Sequence, residues 1–556
     1  MRTQKVGRRF FIGALPAALA AGGLATLLAA VPAPVPAQAA LRAPAAPRAH
    51  AAARLGMAPG QASAGVPVKT DWTFAGQNIH NTRDAATEHI IGPGNVAGLV
   101  PRWVLTTTGN VAATPTVSRG VVYVPDLGGT LWAVNASSGS VSWSASVGSY
   151  VGAAFDVSRT SPAVYGNEIV IGTGAESATP AAPAGAYLVG INASTGALLW
   201  RTKVATDPYA MITGSPVIAN GVVYSGVSSA DELVSVAPTF RGSVVALSAQ
   251  TGQVLWQTYT APPGYTGNSV WGSTPVVDQT TGFLYVATGN NYTVPAGVCQ
   301  TPVQTGCTPP AANDYLDSVL ALNLRTGTVA WARKTLTADV WRATSPNGPD
   351  YDFGSGPNLY TTTINGRAAD LLGVGQKSGI YWALNPASGA VVWKTQVGPG
   401  GPDGGIQWGP ATDGTRVYAA ISDFPLHTPY TITSASGQTS TIAGGSWSAL
   451  DAATGKILWQ TADPQGAADL GFVSTANGVV YAGSDAAAGD TMYALNASNG
   501  AIEWGFPSGG AVISGAAIVN GSVYWGSGYY IPTGVSNDQL YAFSLPGGPP
   551  ALQVGR

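Results

Sequence analysis

The segment VVALSAQTGQVLW, Val244–Trp256, decides the architecture. It alternates apolar and small residues, turns through Thr251 and Gly252, and alternates again into a tryptophan, which reads as strand, tight turn, strand. Six further copies close at Trp143, Trp200, Trp331, Trp393, Trp459 and Trp504, each with glycine four positions earlier. The strands that lead into them are LWAVN, LVGIN, VLALN, YWALN, WSALD and MYALN. Successive tryptophans lie 57, 56, 75, 62, 66 and 45 residues apart, room for one four-stranded sheet per copy plus insertions. Between the copies stand further strand pairs such as ATPTVSRGVVYVPD and GSPVIANGVVYSG, proline-led and then β-branched. An eighth copy opens at LYAFSLPGG near the C-terminus without its closing tryptophan strand, and AGLVPRW, closing at Trp103, offers that strand from the other end. The reading is all-β: an eight-bladed β-propeller over residues 69–556, its N- and C-terminal strands sharing one blade and so removing the exposed edges. A tryptophan in every repeat is packing. Chemistry is to be sought where the repeat is broken.

Composition agrees with many short strands. Of 556 residues only 9% are charged, while 73 are glycine, 40 proline and 16 tryptophan. The net charge of −2 gives no electrostatic case for nucleic acid or anionic membranes. Arg2, Lys5, Arg8 and Arg9 precede an uncharged run from Phe10 to Leu41. GRRFFIG looks like a twin-arginine export signal and Ala37-Gln38-Ala39 like its cleavage site, giving residues 1–39 as signal and 40–68 as an Ala/Pro-rich tether. An uncleaved membrane anchor is the competing reading, since the run is long enough to span. Pro32, Pro34 and Pro36 interrupt it and favour an exported, processed chain with no stable span. Cys299 and Cys307, alone in a Pro/Gly-rich loop, read as a local disulfide in such a compartment. No CxxCH is present, so the chain carries no c-type haem of its own.

Five irregular segments interrupt the repeats: SRTSP (158–162), SGVSSADE (225–232), VWGSTPVVDQTTGFLYVATGNN (270–291), GPDYDFGSGPN (348–358) and GVGQKSGIYWALN (373–385). With the opening DWTFAGQNIHNTR they resemble the pyrroloquinoline-quinone (PQQ) dehydrogenases, exported eight-bladed enzymes that oxidise alcohols or sugars, and within them the polyvinyl-alcohol branch. The resemblance implies PQQ and Ca2+ as cofactors. It implies Glu232, Asn290 and Asp352 as calcium ligands, with Asp352 also the general base. Arg159, Ser229, Trp271 and Lys377 are implied at the quinone: Arg159 on a carboxylate, Trp271 stacked on the ring, and Lys377 also stabilising the reduced oxygen. It further implies an alcohol or polymeric alcohol as substrate and a separate electron acceptor such as a cytochrome c.

Chemistry suits these residue types. Calcium takes oxygen ligands, a carboxylate can receive an alcohol proton, and cations balance an anionic cofactor. Each residue also has a plain structural reading: Glu232 as a solvated loop acid, Asn290 as a turn residue, Asp350 and Asp352 as turn formers, Arg159 as an ion-pair partner. Asp350 is the second candidate for the base. The sequence also departs from the family. Ala153 and Ala154 stand where many members have adjacent cysteines over the quinone, Ala112 replaces a glutamate, and Gly354 stands where lanthanide-using members carry a carboxylate. A cofactor-free propeller serving as an extracytoplasmic scaffold therefore competes with the enzyme. The scaffold leaves Glu232, Asn290, Asp352 and Lys377 scattered around the ring; the enzyme brings them together at one mouth.

Overall fold

β-branched and aromatic residues at alternate positions bury one sheet face against the next sheet, and this packing organises the chain. The computed structural model describes residues 71–174, 185–530 and 534–547, all within the unit Ser63–Arg556. The expected signal and tether lie outside the described residues. Eight antiparallel sheets follow one another: blade 1 over 116–146, blade 2 over 163–205, blade 3 over 217–259, blade 4 over 276–334, blade 5 over 358–396, blade 6 over 411–462, blade 7 over 474–506 and blade 8 over 517–544. Blade 8 is completed by Val100–Thr106, which pairs antiparallel with Gln539–Ser544 and sets Trp103 opposite Ala542. The eight-bladed ring closed by both ends of the chain is thus as read from the repeats.

The Gly-x-x-x-Trp unit is the coupling between blades. Its glycines, from Gly139 to Gly500, have φ between 67° and 74°, the left-handed turn that favours glycine. Six of the seven tryptophans, Trp143 to Trp459, lie on the turn glycine of the following blade; a Cβ at Gly455 would collide with the Trp393 indole. Each indole N–H donates to a carbonyl in that same turn region: Trp143 to Ala193 (2.9 Å), Trp256 to Leu324 (3.0 Å), Trp393 to Ala452 (3.1 Å) and Trp459 to Ala497 (3.0 Å). The series closes on itself. Trp504 of blade 7 donates to Leu99, which leads into the N-terminal strand of blade 8, and Trp103 of that strand donates to Ala136 of blade 1. Burying an indole and satisfying its one donor makes each joint worth about 3 kcal/mol or more.

Strand direction sorts the loops. In every blade the innermost strand runs away from one face, which we term the mouth, and the second strand returns to it. Segments entering the inner strands and loops leaving the second strands therefore gather at the mouth, and the repeat turns gather at the opposite base. The base is crossed by residues 72–85. Backbone hydrogen bonds tie Trp72 to Val117, Thr73 to Val164, Ile79 to Val277, His80 to Leu359, Thr82 to Thr412 and Arg83 to Thr475, visiting the inner strands of six blades in turn. Arg83 is fully buried there, its guanidinium 4.2 Å from the centre of the Phe472 ring. The longest excursion at the mouth, between the second and third strands of blade 4, holds the Cys299–Cys307 disulfide. Among the described residues no helix is long and apolar enough to cross a membrane.

Candidate active site

The broken repeats are mouth segments. SRTSP enters the inner strand of blade 2, VWG that of blade 4 and PDYDFG that of blade 5; SSADE, GNN and GQKSG leave the second strands of blades 3, 4 and 5. Irregular backbone there needs side-chain and cross-blade hydrogen bonds in place of a ladder. The Lys377 N–H bonds the Asp352 carbonyl at 2.9 Å, and the Phe353 N–H bonds the Thr288 carbonyl at 3.2 Å. Arg159, Ser229, Glu232, Trp271 and Lys377 line one cavity of about 180 Å³. Asp352 and Asn290 sit directly behind its wall, fully buried. All seven expected residues are in this one neighbourhood.

Asp352 is the hub. One carboxylate oxygen accepts the Asn290 backbone N–H at 2.6 Å; the other accepts Trp271 Nε1 at 2.7 Å and Lys377 Nζ at 3.4 Å. Lys377 Nζ also bonds both oxygens of Asp350, at 3.1 and 3.2 Å, and lies 5.0 Å from the Trp271 ring centre. Asp350, the secondary candidate in the sequence, is thus the nearer ion partner. Burial alone would depress the Lys377 ammonium, but Asp350, Asp352, Glu232 and Asp403 together raise it above the ordinary lysine range, so it stays charged. Burial pushes Glu232 up to about 8, reinforced by Asp352 and Asp403 and opposed by Lys377. Asp339, bonded by the Asp350 and Tyr351 N–H groups, is pushed up to about 6, with burial the main cause. Asp317 is raised well above its usual range by burial, Asp339 and Asp352. Acids outnumber cations here: Asp350, Asp352, Glu232 and Asp403 surround the Lys377 ammonium, and Arg159 is the other cation on the wall.

That imbalance is what a divalent cation would relieve. Among the described residues no three His, Cys, Asp or Glu side chains are arranged to hold a metal ion. The expected set asks for only two carboxylates and one amide oxygen. Asn290 gives both amide hydrogens away, to the carbonyls of Asn291 (2.8 Å) and Trp341 (2.9 Å), which fixes its orientation. Its Oδ1 is left buried without a partner, beside Asp352. An orphaned oxygen among excess carboxylates fits a hard cation such as calcium. For a flat anionic cofactor the wall offers Trp271, Thr213, Ser229 and Arg159.

Several wall residues carry no signal in the repeat pattern: Asp403, Gln407, Trp408, Leu470 and Tyr529, from blades 6 to 8. Trp408 packs edge-on to Trp271 at 5.2 Å and beneath the Arg159 guanidinium at 4.0 Å, so Trp271 is not the only aromatic surface. Its φ of 54° is unusual for so bulky a residue and is held by the N–H bond to the Gly354 carbonyl, 2.8 Å. The glycine-rich stretch GPGGPDGGIQWGP, 398–410, is the signal that could have pointed to it. Gly354 has its own reason. A Cβ there would stand 2.9 Å from the Trp271 indole, so a carboxylate at this position would displace the ring. Ala153 is half-buried and Ala154 exposed, in the segment entering blade 2.

Comparison with known proteins bears on this geometry. The profile of the glucose/ethanol/alcohol dehydrogenase β-propeller domain (PQQ) matches residues 72–399, the part of the chain that supplies all seven residues. The chain belongs to this dehydrogenase propeller family. Residues 443–547 also match the profile of the outer membrane protein assembly factor BamB. A polyvinylalcohol dehydrogenase of Sphingopyxis sp. is 32% identical over 64% of this chain and 54% of its own length. A second, from Pseudomonas sp., is 30% identical over 63% and 55%. The chain thus spans about half the length of the curated relatives it matches. Among solved structures, a quinohemoprotein alcohol dehydrogenase from Pseudomonas putida superposes with a TM-score of 0.66 at 19% identity, over 88% of this chain and 82% of the other, a likeness of fold.

Proposed function

We propose that this dehydrogenase propeller is an exported, PQQ- and calcium-dependent oxidoreductase that oxidises alcohol hydroxyls, with the secondary alcohols of poly(vinyl alcohol) as the favoured class. The observation that carries the reading is convergence. A scaffold has no need to gather Glu232, Asn290, Asp352 and Lys377 at one mouth, or to leave Asn290 Oδ1 unpartnered in the interior. The two polyvinylalcohol dehydrogenases among the relatives support the substrate class.

Glu232, Asn290 Oδ1 and Asp352 would hold the cation; Arg159, Ser229 and Lys377 would hold the quinone, with Trp271 against its face. When bound, the calcium–PQQ pair supplies a polarised carbonyl that accepts hydride. The protein's part is positioning and proton handling. Asn290, Trp271 and Lys377 fix the Asp352 carboxylate, which would share its remaining acceptor capacity between the cation and the proton of a substrate hydroxyl. As that proton moves to Asp352, the Lys377 ammonium stays within reach of the developing negative charge. Trp271 and Trp408 keep water from the reacting face. A separate carrier such as a cytochrome c would take up the electrons.

The test is reconstitution of the purified protein with PQQ and Ca2+, followed by dye reduction with poly(vinyl alcohol) and simple secondary alcohols. Turnover in wild type and a loss of at least about 100-fold in Asp352→Asn are expected. No PQQ binding, or full activity in the variant, overturns the corresponding part of the reading.

A further inference from the structure

Two carboxylates line the cavity, Glu232 and Asp403. Glu232 belongs to the proposed cation site. Asp403 has no such role, yet it is half-buried in the wall, and among the described residues none donates a hydrogen bond to its carboxylate. Its carboxylate is open to the cavity, where a ligand can reach it, and the fold holds the residue firmly.

The holding is visible in the backbone. Gly401 N–H bonds the Lys377 carbonyl at 3.1 Å, and Gly405 exchanges two hydrogen bonds with Ser422 at 2.8 and 2.9 Å. Ser422 Oγ donates to the Asp403 carbonyl at 2.6 Å, and Gln407 Nε2 donates to Gly404 at 3.3 Å. Gly405 has φ of 69° and lies so close to Lys377 that a Cβ would meet that carbonyl at 2.2 Å. The glycines let the loop press onto the strand end that carries Lys377, and the hydrogen bonds on both sides remove its freedom. Asp403 is thereby fixed relative to the ammonium beside the proposed base; burial raises its carboxyl and Lys377 opposes the rise. Beside its polar residues the same cavity presents apolar and aromatic surface from Met211, Leu233, Leu470, Trp408 and Tyr529.

We infer that Asp403 is a specificity residue that accepts a hydrogen bond from a second hydroxyl of the substrate, so that the site prefers chains bearing hydroxyls on alternate carbons over mono-alcohols. This rests on the proposed alcohol oxidation at Asp352. The substrate brings the missing donor, and its methylenes lie on the apolar wall. A charge-assisted hydrogen bond at a half-open site gives discrimination of about 10- to 100-fold.

The experiment compares pentane-2,4-diol with pentan-2-ol in the PQQ- and calcium-loaded full-length protein, for wild type, Asp403→Asn and Asp403→Ala. Wild type should favour the diol at least tenfold in kcat/KM, chiefly through KM. That ratio should fall at least tenfold in Asp403→Ala and by less in Asp403→Asn, which keeps an acceptor oxygen. A wild-type ratio near one, or a ratio in Asp403→Ala within twofold of wild type, overturns the inference. If no alcohol turns over, the enzyme reading fails separately. Calorimetric titration of the calcium-loaded protein with a defined vinyl-alcohol oligomer, without electron acceptor, still judges Asp403: at least tenfold weaker binding in Asp403→Ala upholds it, and unchanged binding overturns it.

Discussion

Glu232 shows how one side chain can report on the whole pocket. Its carboxyl is pushed up to about 8 by burial and by the acids around it, so at neutral pH without a cation it holds a proton. An acid whose folded value lies above its unfolded value binds the proton more tightly in the folded state. Its contribution to stability is therefore complete below about pH 4.5 and is lost as pH rises from there through about 8. Calcium needs the carboxylate, so cation binding must expel the proton. Calorimetry at pH 7 in two buffers of different ionisation enthalpy is expected to show about one proton released per ion, and affinity should rise roughly tenfold from pH 6.5 to 8. Glu232→Gln should abolish both the release and most of the affinity. Unchanged affinity in that variant would remove Glu232 from the cation site.

At the scale of the element, the disulfide excursion of blade 4 is a brace. Gln300 accepts the Val340 N–H at 2.9 Å through its carbonyl and the Asn347 amide at 2.9 Å through its side chain. Val340 and Asn347 belong to the stretch that continues into Asp350 and Asp352, and Asn291 bonds the same stretch at Asp339 and Trp341. The eight-residue Cys299–Cys307 spacing keeps Gln300 in place. Cys299→Ser with Cys307→Ser should lower kcat about three- to tenfold with little change in Tm, because the loop is tied to the segment that leads to the proposed base, Asp352. A large fall in Tm with unchanged kcat would contradict this. The same scale shows what could be read from sequence. The seven strand–Gly–strand–Trp copies were legible because glycine and tryptophan perform a packing task at fixed spacing. The residues from SRTSP, SSADE, GNN, PDYDFG and GQKSG were legible because they interrupt that spacing. Asp403, Trp408 and Tyr529 were not: they reach the cavity from blades 6 and 8 only once the ring closes, and no local pattern encodes that closure. The crossing of the base by residues 72–85 was equally hidden, since its hydrogen bonds join segments up to several hundred positions apart.

For the molecule as a whole, the ring depends on a pairing between its two ends. Val100–Thr106 hydrogen-bonds along Gln539–Ser544, and Trp504 and Trp103 carry the inter-blade joints on either side. Repeat proteins derive stability from neighbour interfaces, so a ring loses two interfaces when one blade fails. Ending the chain after Asn537 should therefore cost far more than six strand residues imply. The expectation is a fall in Tm of about 10 °C or more and a broadened transition by calorimetry; a shift of only a degree or two would mean the blades are stable without closure. Residues 72–85 add a consequence of another kind. With Arg83 and Trp72 buried beneath the inner strands, the cavity is a cul-de-sac. Whatever enters by the mouth must back out by the same door. On the proposed polymer reading, a long chain would not be threaded through the ring like a bead on string; it would be draped across the opening and dipped in, one short stretch at a time.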